Sequence, residues 1–423
     1  MDTGDKLRFK AHNILFNIHN HGLTYDSAFD KIVANKISTR DIAFLNNVCL
    51  NSMRYSVHSK KILLQHVKKK PKIHEEILLG CAITQIVFLN FKEYAVINST
   101  VEIAKKLKLF HGFVNACLRK ISINKKSLQN IKINIDDLPN WFKKETRNIS
   151  DIQMQSFLDS YSNEPDLHLV FKNKECMSDF GEKIIETSET SGFLVDKKKV
   201  ENISSYKKGF WWVQDFSSSF PLNNVKEEII DKSCFDMCAA PGGKSFQILS
   251  KKKNIVLNDK SKKRTEILKR NLQRLNFDPT ITNDDVYNLE LKEKYDFIII
   301  DAPCSAIGTI RKNPEIFYRE KEPNFYNLVK IQKKMLDVAS KLLRDNGTIL
   351  YMVCSFLEDE TSNQIKYFLN NNKNFYIDNF SLKNKHYINF NIIKNKQMLI
   401  LPMQIDKCHI DGYFAVFLKK GCV

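Results

Sequence analysis

The spacing of apolar positions changes twice along the 423-residue chain. From Lys6 to about Ile123 apolar residues recur at steps of three and four, as on one face of a helix. "AHNILFNIHNHG" and "DIAFLNNVCLNSMRYSVHSKKILLQHV" follow this spacing, and "HEEILLGCAITQIVFLNF" is apolar enough to be the centre of a bundle. In "NSTVEIAKKLKL", Ser99 with Glu102 three residues later has capping-box spacing and predicts a helix start there. "HGFVNACLRKI" predicts a closing helix, and the polar patch "NKKSLQNIKINIDD" a linker. From about Asp136 to Gly209 the pattern is mixed: helices at "LPNWFKKETRN", "SDIQMQSFLDSY" and "CMSDFGEKIIE", strands at "LHLVFKN" and "SGFLVD".

From about Phe210 short apolar strands alternate with helices. "CFDMC", "NIVLND", "PTITN", "YDFIIID" and "GTILYMVC" predict strands, and "DGYFAVFLKK" a last one. "KSFQILSKK", "SKKRTEILKRNLQRL", "FYNLVKIQKKMLDVASKLL" and "ETSNQIKYFLNN" predict helices. Such βαβ alternation implies a doubly wound parallel sheet of the Rossmann-like α/β class. The expected organisation is therefore multidomain: an all-α bundle over 1–130, a small α+β module over 131–209 and an α/β domain over 210–423. Ligands of doubly wound sheets sit at the carboxyl ends of the strands. Cys238, Asp259, Asp285, Asp301 and Cys354 fall at such ends.

Composition changes little of this picture. At 43% hydrophobic and 27% charged residues, the chain suits a globular protein with a full core. No apolar run approaches the roughly 20 residues of a membrane span, and the first residues lack a signal-type apolar core. The expected compartment is the cytoplasm. None of the ten cysteines forms a C-x-x-C pair, Cys234 and Cys238 have poor zinc spacing, and the ten histidines show no ligand spacing. No metal is expected. Cys49, Cys81, Cys117, Cys176, Cys234, Cys408 and Cys422 are read as structural or incidental, Trp211 and Trp212 as packing residues. The net charge of +18 suits a polyanionic partner, although a chain rich in Lys, Asn and Ile can also owe its charge to codon bias. The lysine runs 68–70 and 251–253 are read as solvated.

Two constellations carry chemistry. In "FDMCAAPGGKS" a strand enters a small-residue loop and then a helix, and Gly242 and Gly243 allow close backbone approach to a ligand. The loop fits neither G-x-G-x-x-G nor a P-loop, which would need glycine at Cys238. Asp259, ending the next strand, is placed to accept ribose hydroxyls, and Asp285, ending the third, to meet a base. Together they point to a nucleoside-containing cofactor. In "YDFIIIDAPCSAIGTIRKNPEI" a strand delivers Asp301 and then Cys304, with Arg311 and Lys312 following as candidate phosphate contacts. Cys354 ends the next strand, so adjacent parallel strand ends would bring both thiols into one pocket.

The blocks "DMCAAPGGKS", "DAPCSAIGTIRKNPEI" and "GTILYMVCS" resemble the signatures of the S-adenosylmethionine-dependent RNA 5-methylcytosine methyltransferases. They are most similar to the bacterial 16S ribosomal RNA methyltransferase B (Fmu/Sun) group. "VQDFSSSF" resembles that group's lead-in block, and "ILLGCAITQIVFL" with "FVNACLRKI" resembles its NusB-like RNA-binding domain. The resemblance implies C5 methylation of a cytosine in 16S ribosomal RNA through a cysteine–C6 adduct. It implies Cys354 as nucleophile, Cys304 in product release, and Asp301 and Lys244 near base and cofactor. S-adenosylmethionine would be held by Cys238, Ala239, Ala240, Pro241, Gly242, Gly243, Lys244, Asp259, Asp285 and Asp301. The implied partner is RNA, and the chain is expected to work as a monomer. The chain departs from the family pattern at Val353 for the usual threonine, Glu358 for proline, Glu360-Thr361 for Glu-Asn and Asp284-Asp285-Val286 for a Gly-Asp-Gly strand end. Two other readings remain open at this point: the same chemistry on transfer RNA or another ribosomal site, and a non-catalytic RNA-binding assembly factor.

Overall fold

The structure, a computed structural model, describes residues 3–33, 37–196, 198–251, 254–286, 294–382 and 392–421. Lys252, Lys253 and Cys422 lie outside the described residues. Contacts divide the chain into two units, Met1–Asn163 with Ile310–Pro323, and Glu164–Thr309 with Asn324–Val423. The segment expected as a middle module is thus split. Its first part packs with the helices and its second with the C-terminal sheet.

The first unit is helical: Thr3–His21, Tyr25–Ile32, Thr39–Arg54, Ser56–His66, Ile73–Ile83, Glu93–Lys106 and His111–Ile123. The most apolar of these continues as a π-helical turn over Thr84–Phe88 and buries Leu78, Leu79, Ile83 and Ile86 at the bundle centre. One expectation fails here. Helix Glu93–Lys106 starts well before the predicted Ser99–Glu102 cap, and Ser99 lies buried in its interior. Val96, Ile97, Ile103 and Ala104 form a single buried stripe, and burying Val96 and Ile97 requires the helix to begin earlier. The expected linker is also structured. It forms the short helix Lys125–Leu128 and a turn at Ile135–Asp137, whose Asp137 pairs with Lys61 at 2.6 Å.

The segment 310–323, expected beside the reacting strands, completes this helical unit. Phe317 stacks edge-on against Trp141 and Phe142 with ring centroids 5.8 and 5.0 Å away, and meets Phe157 and Tyr161 as well. Arg54 donates from Nη2 to the Arg311 carbonyl at 3.2 Å.

The second unit holds two principal sheets. Strands β1 (His168–Phe171), β2 (Ile184–Ser188), β3 (Ser191–Leu194) and β4 (Trp211–Val213) form a small sheet in the order β2-β3-β1-β4. The helix expected over "CMSDFGEKIIE" is only Lys174–Ser178. Gly181 follows it, and the β-branched Ile184, Ile185 and Thr187 lie in β2. Trp211 and Trp212 are buried, as expected.

The main sheet contains β5 (Cys234–Asp236), β6 (Ile255–Asn258), β7 (Ile281–Thr282), β8 (Tyr295–Asp301), β9 (Leu343–Val353), β10 (Phe375–Asp378), β11 (Ile393–Lys394) and β12 (Gln397–Ile400). After the separate hairpin β13 (Met403–Ile405) and β14 (Cys408–Ile410), β15 (Tyr413–Lys420) completes it. The order is β11-β12-β15-β9-β8-β5-β6-β7, with β10 paired to β15. Strands β5 to β9 are mutually parallel where paired, while β15 runs antiparallel to β9 and β12, so the sheet is mixed. Chain order reverses between β5 and β8, which makes that point the topological switch where such sheets bind ligands. Alternate residues feed two cores. Leu350 and Met352 of β9 enter one, and Ile349, Tyr351 and Val353 enter the other.

Candidate active site

The loops after β5, β8 and β9 converge with the start of β15. Strands β8 and β9 are parallel neighbours, and their carboxyl ends carry the two predicted thiols to a Cys304–Cys354 sulfur separation of 3.3 Å. Cys304 packs against the core that takes Val353, and Cys354 against the opposite one. The hydrogen bond to Cys354 and burial push the Cys304 thiol well above its usual range. Cys304 thus holds its proton firmly. Asp301, at the tip of β8, is gripped from both sides. Lys244 Nζ donates to Oδ2 at 2.8 Å and the Tyr413 hydroxyl donates to Oδ1 at 2.9 Å. Tyr413 is buried, and its phenol is pushed well up by burial first and by Asp301 and Cys354 next.

Below this pair of thiols lies a buried carboxylate. Glu360 Oε1 accepts from the Ser305 amide at 2.8 Å and from Gln332 Nε2 at 3.1 Å. Its Oε2 accepts from Ser305 Oγ at 2.5 Å and from Ser355 Oγ at 2.6 Å. Its backbone carbonyl accepts from the Tyr351 hydroxyl at 2.9 Å.

The predicted cofactor loop forms the floor on the β5 side. Gly242 has φ +119°, and a Cβ there would lie 2.0 Å from the Phe246 ring, so only glycine fits the turn. Asp236 is buried beneath the loop, accepting from Ser245 Oγ at 2.7 Å and from the Cys238 amide at 3.2 Å, and burial pushes its carboxyl up to about 6. Cys238 is itself pushed up by burial and by Asp236. Asn271 Nδ2 bonds the Pro241 carbonyl, and Arg264 bonds that of Ala240. The Ala239 amide bonds the Asn258 carbonyl, and the Asn258 side chain bonds both backbone groups of Asp284, fixing the loop that carries the half-buried Asp285. Asp259 is buried. Its Oδ1 accepts from the Ser261 amide at 2.9 Å, and its Oδ2 lies 3.3 Å from Arg264 without a hydrogen-bond partner among the described residues. A buried carboxylate oxygen left open in this way suits a ribose hydroxyl, which is a donor. The residues present therefore fit a nucleoside cofactor, with the glycine turn and Asp259 holding it.

One predicted group falls outside the cluster. Arg311 belongs to the helical unit and is fully buried, so its guanidinium is not a surface contact for phosphate; the neighbouring Lys312 is exposed. Sequence reasoning missed Tyr413, Glu360 as a linking group, Ser305 and Asp236. The last could have been found as a strand-end acid flanking the glycine loop. Among the described residues no cluster of metal-ligating side chains occurs, and no helix is long and apolar enough to cross a membrane.

A doubly wound sheet whose switch point adjoins a glycine turn, a buried carboxylate with one oxygen unsatisfied and two clustered thiols fits an S-adenosylmethionine-dependent methyltransferase. This assignment agrees with comparisons to known proteins. Residues 221–419 match the family model described as 16S rRNA methyltransferase RsmB/F, and residues 5–122 match the NusB family. The chain is 28% identical to Ribosomal RNA small subunit methyltransferase B of Shewanella oneidensis, over 86% of this chain and 89% of that protein. The fold is shared with the solved structure of PH0851, at TM-score 0.69 and 19% identity over 99% of both chains. It is also shared with NSun6 from Pyrococcus horikoshii with SFG, at TM-score 0.55 and 16% identity over 67% of this chain and 99% of that one. The chain is thus an S-adenosylmethionine-dependent RNA methyltransferase, similar to the RsmB/F family of 16S rRNA methyltransferases over residues 221–419 and to the NusB family over residues 5–122.

Proposed function

We propose that the chain methylates C5 of a specific cytosine in 16S ribosomal RNA through a covalent adduct between Cys354 and C6 of the base. The observation that carries this reading is the pair of sulfurs 3.3 Å apart at adjacent strand ends, beside Asp301. Methylation of an exocyclic amine requires no thiol, whereas C5 of cytosine becomes a competent nucleophile only after addition to C6. The bound cofactor supplies an electrophilic methyl group. Cys354, with the Cys304 sulfur 3.3 Å away, attacks C6 as the thiolate. Asp301, held by Lys244 and Tyr413, faces the base edge and fixes its orientation. Once C5 carries the methyl group, the C5 proton leaves to solvent water, the Cys354–C6 bond breaks with its electron pair returning to Cys354, and Cys304 assists this elimination. The target base must be unstacked to reach these groups. The NusB-family unit is proposed to contribute RNA contacts, and the chain to act as a monomer in the cytoplasm.

Incubation with transcribed small-subunit ribosomal RNA and S-adenosylmethionine tests the roles. Cys304→Ala is expected to accumulate a protein–RNA adduct visible on a denaturing gel. Cys354→Ala is expected to give neither adduct nor 5-methylcytosine. An adduct surviving in Cys354→Ala would sink the assignment.

A further inference from the structure

We infer that Glu360 is a positioning residue that sets the spacing of the two reacting sulfurs. The inference rests on the assignment of Cys354 and Cys304 as the reacting thiols. Each thiol is followed in sequence by a serine, and both serines end on one carboxylate oxygen. Ser305 Oγ and Ser355 Oγ lie 2.5 and 2.6 Å from Glu360 Oε2, and the Ser305 hydroxyl also lies 3.3 Å from that of Ser355. The other oxygen takes the Ser305 amide, so the turn after Cys304 is held at backbone as well as side chain.

The carboxylate is itself fixed. Gln332 Nε2 reaches both Glu360 Oε1 and the Pro303 carbonyl, at 3.1 and 2.9 Å, so the helix Phe325–Leu342 braces the residue preceding Cys304. Gln364 Nε2 in turn holds Gln332 Oε1 at 3.0 Å, and Tyr351 of β9 anchors the Glu360 backbone. Glu360, Ser355 and Gln332 are all fully or almost fully buried. A buried carboxyl group persists only when hydrogen-bond partners surround it, and here five hydrogen bonds converge on its side chain and main chain. Three of those donors, the Ser305 amide and the Ser305 and Ser355 hydroxyls, come from the two loops that carry the thiols. Glu360 touches neither sulfur. It acts by making the loops after β8 and β9 one rigid piece, with the Cys304–Cys354 separation as the dependent quantity.

Two variants of the full chain test this. Glu360→Gln keeps the side-chain volume and removes the charge that both hydroxyls share. Ser355→Ala cuts the link to the Cys354 side alone and remains informative should the first variant fold poorly. Sulfur spacing is read without catalysis by phenylarsine oxide. This reagent forms two As–S bonds with neighbouring thiols and releases one water, and Cys354→Ala serves as the blank. Both variants are expected to bind it at least tenfold more weakly than the parent. Their turnover number on transcribed small-subunit rRNA is expected to fall tenfold or more, with KM for RNA and affinity for S-adenosylmethionine within twofold. Parent-like arsenical binding and turnover in folded variants would overturn the inference. So would a fall in turnover matched by equal losses of cofactor affinity and thermal stability, the mark of a merely structural role. Failure of the underlying assignment looks different: methylation would then persist in Cys354→Ala whatever Glu360 does.

Discussion

At the scale of single residues, the departure at Val353 loses its apparent significance. In a strand, neighbours point to opposite faces. Val353 enters the core with Tyr351 and Phe414, while Cys354 packs on the other side of the sheet. A threonine hydroxyl at 353 would enter an apolar cluster rather than meet the nucleophile. Val353→Thr is therefore expected to cost about 1–2 kcal/mol in chemical denaturation, with turnover within about twofold of the parent. Tyr413 behaves oppositely. Its ring is buried, but its hydroxyl completes the grip on Asp301. Tyr413→Phe is expected to fold normally and to lose roughly tenfold or more in kcat, the order of one hydrogen bond to a charged group, in a steady-state methylation assay. Cys304, Cys354, Asp301, Lys244 and the glycine loop were legible because each lies in a contiguous strand-and-loop block. Tyr413 and Glu360 were not, because their partners are 112 and 55 residues away. Arg311 was misread because a phosphate-binding arginine and a buried one are identical in one dimension.

At the scale of elements, periodicity located the parallel strands β5 to β9, the strand β15 and the long helices between them, but not β4, β10 to β14 or the helix Phe216–Asn223, and two of its misreadings along the chain share a cause. The Ser99–Glu102 pair and the "CMSDFGEKIIE" segment were read from local signals that tertiary burial overrides. Ser99 Oγ is buried in its helix without a hydrogen-bond partner among the described residues. Ser99→Ala is therefore expected to be neutral or slightly stabilising in thermal unfolding, whereas a true N-cap would lose about 1 kcal/mol. The antiparallel insertion of β15 beside β9 was beyond reach of the pattern, since a strand near the end of a chain can join a sheet at an edge or within it. Its position matters, because Phe414 pairs with Val353 there and Met352 with Asp301, so the preceding Tyr413 comes within reach of the β8 tip.

At the scale of the molecule, the two units answer acid with opposite sign. Burial holds His12 and His58 of the helical unit neutral, with pKa values lowered to about 4. The unfolded chain binds their protons from about pH 6.5 downward, so stability is lost as pH falls from there towards 4, by about 3 kcal/mol for each. Asp236 of the catalytic unit, raised to about 6, contributes stability that is fully present below its ordinary carboxylate range and lost as pH rises through 6. Helical circular dichroism followed from pH 7 to 4 should show early loss. His58→Phe, placed among the rings of Tyr55, Phe88 and Tyr161, should move that loss to lower pH. The two broad layers of the chain, bundle and doubly wound sheet, were readable from spacing alone. Their true boundary was not, because 310–323 departs from the sheet it is written into.

That excursion bears on how the protein is made. The aromatic centre formed by Trp141, Phe142, Phe157 and Tyr161 receives Phe317 only after β1 to β8 have been synthesised. Domains usually fold in the order they leave the ribosome, N-terminal first. Here the N-terminal unit stays open on one side until most of the catalytic sheet exists, so the RNA-modifying half is never translated onto an already finished partner.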